Sequence, residues 1–145
     1  SVHMRLYATP DYIDEHGAPE SVEQLSGHRL ICQNVQATQV SAGAELVREL
    51  LTYDIRSTLT VNNYFGVLQA TRSGLGIGVL PDYVIQDFPN VKRILPDVES
   101  NEVPVFLAYP EELRQSRRIA AFRDFVTEEI IAHRKKMRQE AEKSA

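Results

Sequence analysis

Residues 72–83 read RSGLGIGVLPDY. How Gly74, Gly76 and Gly78 are read decides the fold class. Such a segment either cradles a phosphate or lets the chain turn between a helix and a strand. A dinucleotide fingerprint needs GxGxxG after a strand and at the opening of a helix. Here the position three after Gly76 is Val79, and the glycines follow a helical pattern and open a strand. A phosphate-binding Walker loop needs GK[ST], and no such triplet occurs in the chain. The glycines therefore read as structural punctuation. Gly74 is expected in the left-handed conformation just past a helix end. Gly76 and Gly78 are expected in a buried strand over 76–80 that neighbouring backbone approaches closely. Leu80-Pro81 ends that strand and opens a short helix over 81–88.

The surrounding pattern alternates strand and helix. Upstream, RSTLTV at 56–61 is β-branched and alternating, a strand, and 63–73 carries Phe65, Leu68 and Ala70/Thr71 at helical spacing. Further back lie a strand over 2–8, a helix over 10–17 opened by Pro10, and a helix over 21–28. Ser21 and Gln24 of that last helix have capping-box spacing. An apolar strand follows over 29–33. Residues 34–43 read as a loop, and 44–51 is rich in helix formers. Downstream, 91–95 and 103–109 read as strands. A long helix over 116–136 carries Ile119, Phe122, Phe125, Val126, Ile130 and His133 on one stripe. Strands alternating with helices indicate an α/β sheet covered on both faces.

Composition is that of an ordinary globular chain: 145 residues, 43% hydrophobic and 25% charged. No apolar run approaches the roughly 18–20 residues that span a bilayer, and no membrane partner is expected. The first ten residues carry no charged-then-apolar leader pattern. Charge is uneven. Through Glu112 there are 7 Lys/Arg against 15 Asp/Glu, a net of −8; from Leu113 onward there are 9 against 5, a net of +4. The acidic body is a poor non-specific binder of nucleic acid. The basic stretch HRKKMRQEAEK reads as a solvated helix end. Cys32, the single cysteine, excludes an intramolecular disulfide and a CxxC metal site, and its apolar surroundings make it core filler.

Catalysis needs a nucleophile with its base, or a poised acid–base pair. The chain has no GxSxG and no HExxH. No two of His3, His16, His28 and His133 are spaced as metal ligands on one element. Carboxylate pairs such as Asp14/Glu15 and Glu128/Glu129 read as solvated helix faces. The expectation is therefore a chain that is not an enzyme, with no catalytic residue, no metal and no cofactor. What remains is a set of uncharged polar residues at strand ends: Gln33 and Asn34 after one strand, Asn62 and Asn63 after another and at a helix start. Ligands of open α/β sheets bind outside the carboxyl ends of the strands, and helix N-termini add backbone donors. The competing reading of VNN is a plain Asn N-cap.

The order of motifs resembles a known family. RLYATPDYIDEHGAPESVEQLSGHRLI, TLTVNNYFGVLQATRSGLGIGVLPDYVIQD, VKRILPDV and VPVFLAYP with SRRIAAFRDFVTEEI together resemble the effector-binding region of LysR-type transcriptional regulators, from about Arg5 to about Ile130. The resemblance implies a three-layer sheet-and-helix lobe like those of type 2 periplasmic binding proteins. On that basis 5–102 would be lobe II. Residues 103–136 would hold a crossover strand and the C-terminal helix of lobe I, and 137–145 a frayed tail. The winged helix-turn-helix and most of lobe I would lie outside the chain. The resemblance also implies a bacterial, cytoplasmic regulator, homo-oligomeric at full length, touching DNA only through its N-terminal domain. Its partner would be a small-molecule effector in an interlobe cleft. Carried over residue by residue, the lobe II wall would comprise Gln33, Asn34, Val35, Asn62, Asn63 and Tyr64. Thr9, with Pro10, would lie near the crossover. A periplasmic solute-binding protein of similar fold is the alternative.

Overall fold

The computed structural model describes residues 2–35, 41–55 and 57–144. The chain divides into two compact units, Ser1–Pro104 and Val105–Ala145.

The first unit is built on five strands: β1 (Met4–Ala8), β2 (Arg29–Gln33), β3 (Ser57–Val61), β4 (Ile77–Pro81) and β5 (Lys92–Glu99), in the order β3-β2-β4-β1-β5. β2 runs parallel to β3 and β4, while β1 is antiparallel to β4 and β5. Among the described residues three helices cover the sheet: α1 (Pro10–His16), α2 (Ala42–Leu50) and α3 (Tyr64–Arg72). The period-2 alternation of each strand sorts its side chains into two cores. Leu6, Leu30, Cys32, Ile77 and Val79 join Tyr12 of α1 and Leu46, Val47 and Leu50 of α2. Their sequence neighbours Tyr7, Ile31 and Leu80 join Val67 and Leu68 of α3 on the other face. The result is the expected three-layer α/β lobe.

The glycines serve the roles expected of them. Gly74 has φ +71°. The N–H of Gly74 donates to Thr71 O at 3.0 Å and that of Leu75 to Ala70 O at 3.2 Å. These two bonds close α3 in a Schellman motif, which needs a left-handed residue at the position Gly74 holds. A Cβ on Gly76 would stand 2.5 Å from the backbone O of Arg29, and one on Gly78 2.0 Å from Thr71 Oγ1. The first closeness lets β4 begin against β2; the second lets α3 lie on β4.

Several elements differ from the sequence reading. Residues 21–28 form only a 3-10 turn over Glu23–Gly27, without a side-chain cap. Gln24 Oε1 instead accepts from the Glu20 N–H at 2.8 Å, so the capping-box partner is spent on the preceding loop. The helix over 81–88 shrinks to a 3-10 turn, Asp82–Ile85, because Phe88 precedes Pro89 and that position disfavours helix. β5 extends to Glu99 across a bulge, with Leu95 at φ +46°. Glu99 braces the bulge, accepting from Arg5 Nε at 2.8 Å and Arg93 Nη2 at 3.0 Å. The loop expected over 34–43 ends earlier, since Ser41 caps α2; 36–40, and Arg56 at the start of the expected third strand, lie outside the described residues.

The strand expected over 103–109 is a single bridge, Val2↔Val103. Residues 104–109 pair with no strand among the described residues. Pro104 removes one donor, and an extended segment without a ladder is not a strand. The second unit holds a 3-10 turn, Glu111–Leu113, and one helix, α4 (Arg117–Ser144). α4 runs past the expected end at 136 and through most of the expected frayed tail. Its last turns are rich in Ala, Glu, Lys, Gln and Arg and hold no Gly or Pro, so propensity favours continuation. Phe122, Phe125, Ile130 and Ile131 on α4 are all exposed.

Candidate functional site

The strand registers bring one polar group together. Gln33 lies opposite Val61, and Met4 opposite Pro81. The carboxyl ends of β2, β3 and β4 therefore share one end of the sheet with the amino end of β1. The Val2↔Val103 bridge and the bond from Ser100 N–H to Met4 O, 3.0 Å, lie at this same end.

Gln33, Asn34, Val35, Asn62, Asn63 and Tyr64 all lie at this end. Gln33 Nε2 donates to Asn62 O at 3.1 Å, and the Asn34 N–H donates to Val61 O at 2.8 Å. These two bonds tie the segment leaving β2 to the turn leaving β3. Asn63 is the N-cap of α3: its Oδ1 accepts from the Gly66 N–H at 2.8 Å, and its Nδ2 donates to Asn62 Oδ1 at 2.7 Å. The capping reading of VNN thus holds for Asn63, whose amide is largely committed. Asn34, Asn62 and Asn63 are all exposed residues. Val35 and Tyr64 pack partly into the core.

Tyr64 connects two helix starts. Its Oη lies 3.5 Å from where a Cβ on Gly43 would stand, so it reaches the first turn of α2. That turn is capped by Ser41, whose Oγ accepts from the Ala44 N–H at 3.2 Å. Burial pushes the Tyr64 hydroxyl up from its ordinary value, and Tyr83 adds to the shift; Tyr83 itself is exposed. The starts of α2 and α3 are thus linked by Tyr64 beside a neutral, amide-rich wall. That wall suits hydrogen bonding and accommodates an anionic group without a cation of its own. The sequence reading missed Ser41, Gly43 and Tyr83. Ser41 before a run of helix formers was the available signal. For Tyr83 there was none, because its place depends on where β4 ends against β1.

Thr9 is placed differently from the expectation. Together with Pro10 it lies at the opposite end of the sheet, roughly 15 Å away along a five-residue strand. β1 is antiparallel to β4, so its carboxyl end faces the start of β4. Thr9 is buried and caps α1, its Oγ1 accepting from the Tyr12 N–H at 3.3 Å. There it borders an open concavity of about 530 Å³ with Glu15, Arg72, Gly74 and Asn90. Cys32 is fully buried, and burial raises its thiol pKa, which makes it a poor nucleophile. No group of three or more His, Cys, Asp or Glu that could hold a metal occurs among the described residues. Among these residues no helix is long and apolar enough to cross a membrane.

The lobe is a mixed α/β sheet covered by helices on both faces, with a polar wall at the carboxyl ends of its parallel strands. The comparisons with known proteins agree. Residues 1–130 match the LysR substrate binding domain, and the chain belongs to that family. The chain is 25% identical over 131 residues to the HTH-type transcriptional regulator CrgA of Neisseria meningitidis serogroup C, covering 88% of this chain and 44% of CrgA. An uncharacterised HTH-type transcriptional regulator of Haemophilus influenzae is 24% identical over 110 residues, 74% of this chain and 38% of the relative. The chain thus spans less than half the length of these curated relatives. The solved CrgA regulatory domain superposes with a TM-score of 0.69 at 22% identity, covering 88% of this chain and 64% of that one. This likeness establishes the shared fold. The periplasmic solute-binding alternative finds no support among these relatives.

Proposed function

We propose that the chain is the effector-sensing part of a LysR-type transcriptional regulator. In this reading the cluster of Gln33, Asn34, Val35, Asn62, Asn63 and Tyr64 is one wall of its effector cleft. The single observation that carries the site is convergence. The amides and two helix starts meet at the sheet end where the Val2–Val103 pair also lies. Residues 5–102 act as lobe II, and 103–136 lead back to lobe I and supply its C-terminal helix. A small molecule bound in the cleft favours one lobe orientation, and the shift in population repositions the DNA-binding domains of the oligomer. DNA is contacted through the N-terminal domain alone, which suits an acidic body. The protein works in the bacterial cytoplasm and performs no catalysis.

The test uses the full-length protein and a compound that raises its melting temperature. Asn34→Ala and Asn62→Ala are expected to weaken binding of that compound in calorimetric titration while leaving the melting temperature of the free protein unchanged. Unchanged affinity in both variants removes the site assignment. A reading frame upstream of Ser1 that encodes an export signal in place of a winged helix-turn-helix removes the regulator reading.

A further inference from the structure

Away from the cleft, at the opposite end of the sheet, three ionisable rings are packed on one another. Tyr12 of α1 and His28, just before β2, are both buried, at 4% and 8% exposure. Tyr12 Oη lies 3.0 Å from His28 Nδ1. His16 stacks on the Tyr12 ring at 4.3 Å between centroids and 17° between planes. Its Nδ1 donates to Tyr12 O at 3.1 Å. The Arg29 N–H donates to Tyr12 Oη at 3.4 Å.

One tautomer of neutral His28 satisfies every donor in this chain of bonds. Tyr12 Oη receives the Arg29 N–H and has one proton of its own to give. Its buried neighbour able to accept is His28 Nδ1, which accepts only as neutral imidazole. The arrangement is Arg29 N–H to Tyr12 O–H to His28 Nδ1. A proton added at Nδ1 removes the acceptor of the Tyr12 O–H and places a buried cation beside His16.

We propose that Tyr12 and His28 form an acid-sensitive latch that holds α1 against the start of β2, and that protonation of His28 releases it. The titratable groups that act on the His28 ring are Tyr12 and His16, both from α1. Neither offers a carboxylate to stabilise the cation, and His16 opposes it when charged. Burial, with His16 adding to it, holds the His28 pKa below its ordinary value. The sign follows from proton binding. Between the depressed folded value and about 6.5, the released form binds more protons than the latched form, so latching strengthens as pH rises and is lost as pH falls. Release frees the Tyr12 wall of the concavity that Thr9, Glu15 and Arg72 also line. It also frees the Arg29 backbone, against which Gly76 starts β4.

Hydrogen exchange of the Arg29 amide, followed by NMR on the whole chain and corrected for the intrinsic rate, reads the latch directly. Protection is expected to fall about five- to tenfold between roughly pH 7.5 and roughly pH 5.5. In His28→Asn, whose Oδ1 still accepts from Tyr12 but cannot titrate, it is expected to stay flat. In the same spectra the wild-type His28 ring is expected to titrate below about 6.5, together with the loss of protection. Flat protection in the wild type overturns the latch. So does a fall of equal size in His28→Asn, or a His28 ring that titrates at or above the ordinary value. The ring titration needs no variant and stands even if His28→Asn does not fold.

Discussion

Gly78→Ala is the substitution that tests the packing of this lobe most sharply. The new Cβ would meet Thr71 Oγ1 at 2.0 Å, Thr71 Cβ at 3.1 Å and Thr71 Cγ2 at 3.3 Å. Thr71 is fully buried, and its hydroxyl donates to Val67 O at 2.8 Å. Rotating Thr71 removes the contact with Oγ1, but its Cβ would still stand at 3.1 Å, so α3 must also lift slightly from β4. Rotation gives up a buried hydrogen bond worth about 1 kcal/mol. Shifting packed elements costs about 1–3 kcal/mol. Against this, alanine restricts the unfolded chain and returns about 0.4–1 kcal/mol. The net expectation is a loss of about 2 kcal/mol, which moves a urea midpoint by about 1 M at the slopes usual for small proteins. Urea unfolding followed by far-UV circular dichroism measures it. A double-mutant cycle identifies the cause, because Thr71→Ala removes the atom at 2.0 Å. The two substitutions together should be less damaging than their sum by at least about 1 kcal/mol. A Gly78→Ala protein within about 0.5 kcal/mol of the wild type, or a cycle with no coupling, refutes the claim that α3 lies on β4 through this contact.

Two further expectations rest on other parts of the lobe. Gly74→Val should lose more than about 1 kcal/mol, because φ +71° is a conformation that β-branched residues avoid; a neutral result in the same urea assay contradicts the Schellman end of α3. Cys32 should react with a thiol reagent at least about a hundredfold more slowly in the folded chain than in urea, since it is fully buried and burial raises its pKa. Comparable rates would mean that this face of the core opens readily.

Local chemistry made much of this lobe legible. The alternation of Leu6, Leu30, Ile77 and Val79 with Tyr7, Ile31, Gly78 and Leu80 announces strands with two buried faces. Ser73-Gly74 after a helical pattern announces the end of α3, and Asn63 its beginning. These signals act within a few residues, where φ/ψ preference and side-chain period dominate. The elements that went astray depend on distant partners. The stretch 103–109 has strand-forming residues, yet a strand exists only when a neighbour supplies a ladder. Gln24 has capping-box spacing, yet it bonds Glu20.

The candidate site divides along the same line. The sequence by itself determined which segments end in amides and which glycine must adopt positive φ, because both follow from the residues and their immediate neighbours. The tertiary structure alone decided that Gln33, Asn62 and Tyr64 meet the start of α2 at one end of the sheet, while Thr9 goes to the other. The physical reason is strand direction. Whether β1 pairs parallel or antiparallel with β4 is settled by hydrogen bonds between residues more than seventy positions apart, and that choice selects which end of the sheet each strand terminus occupies.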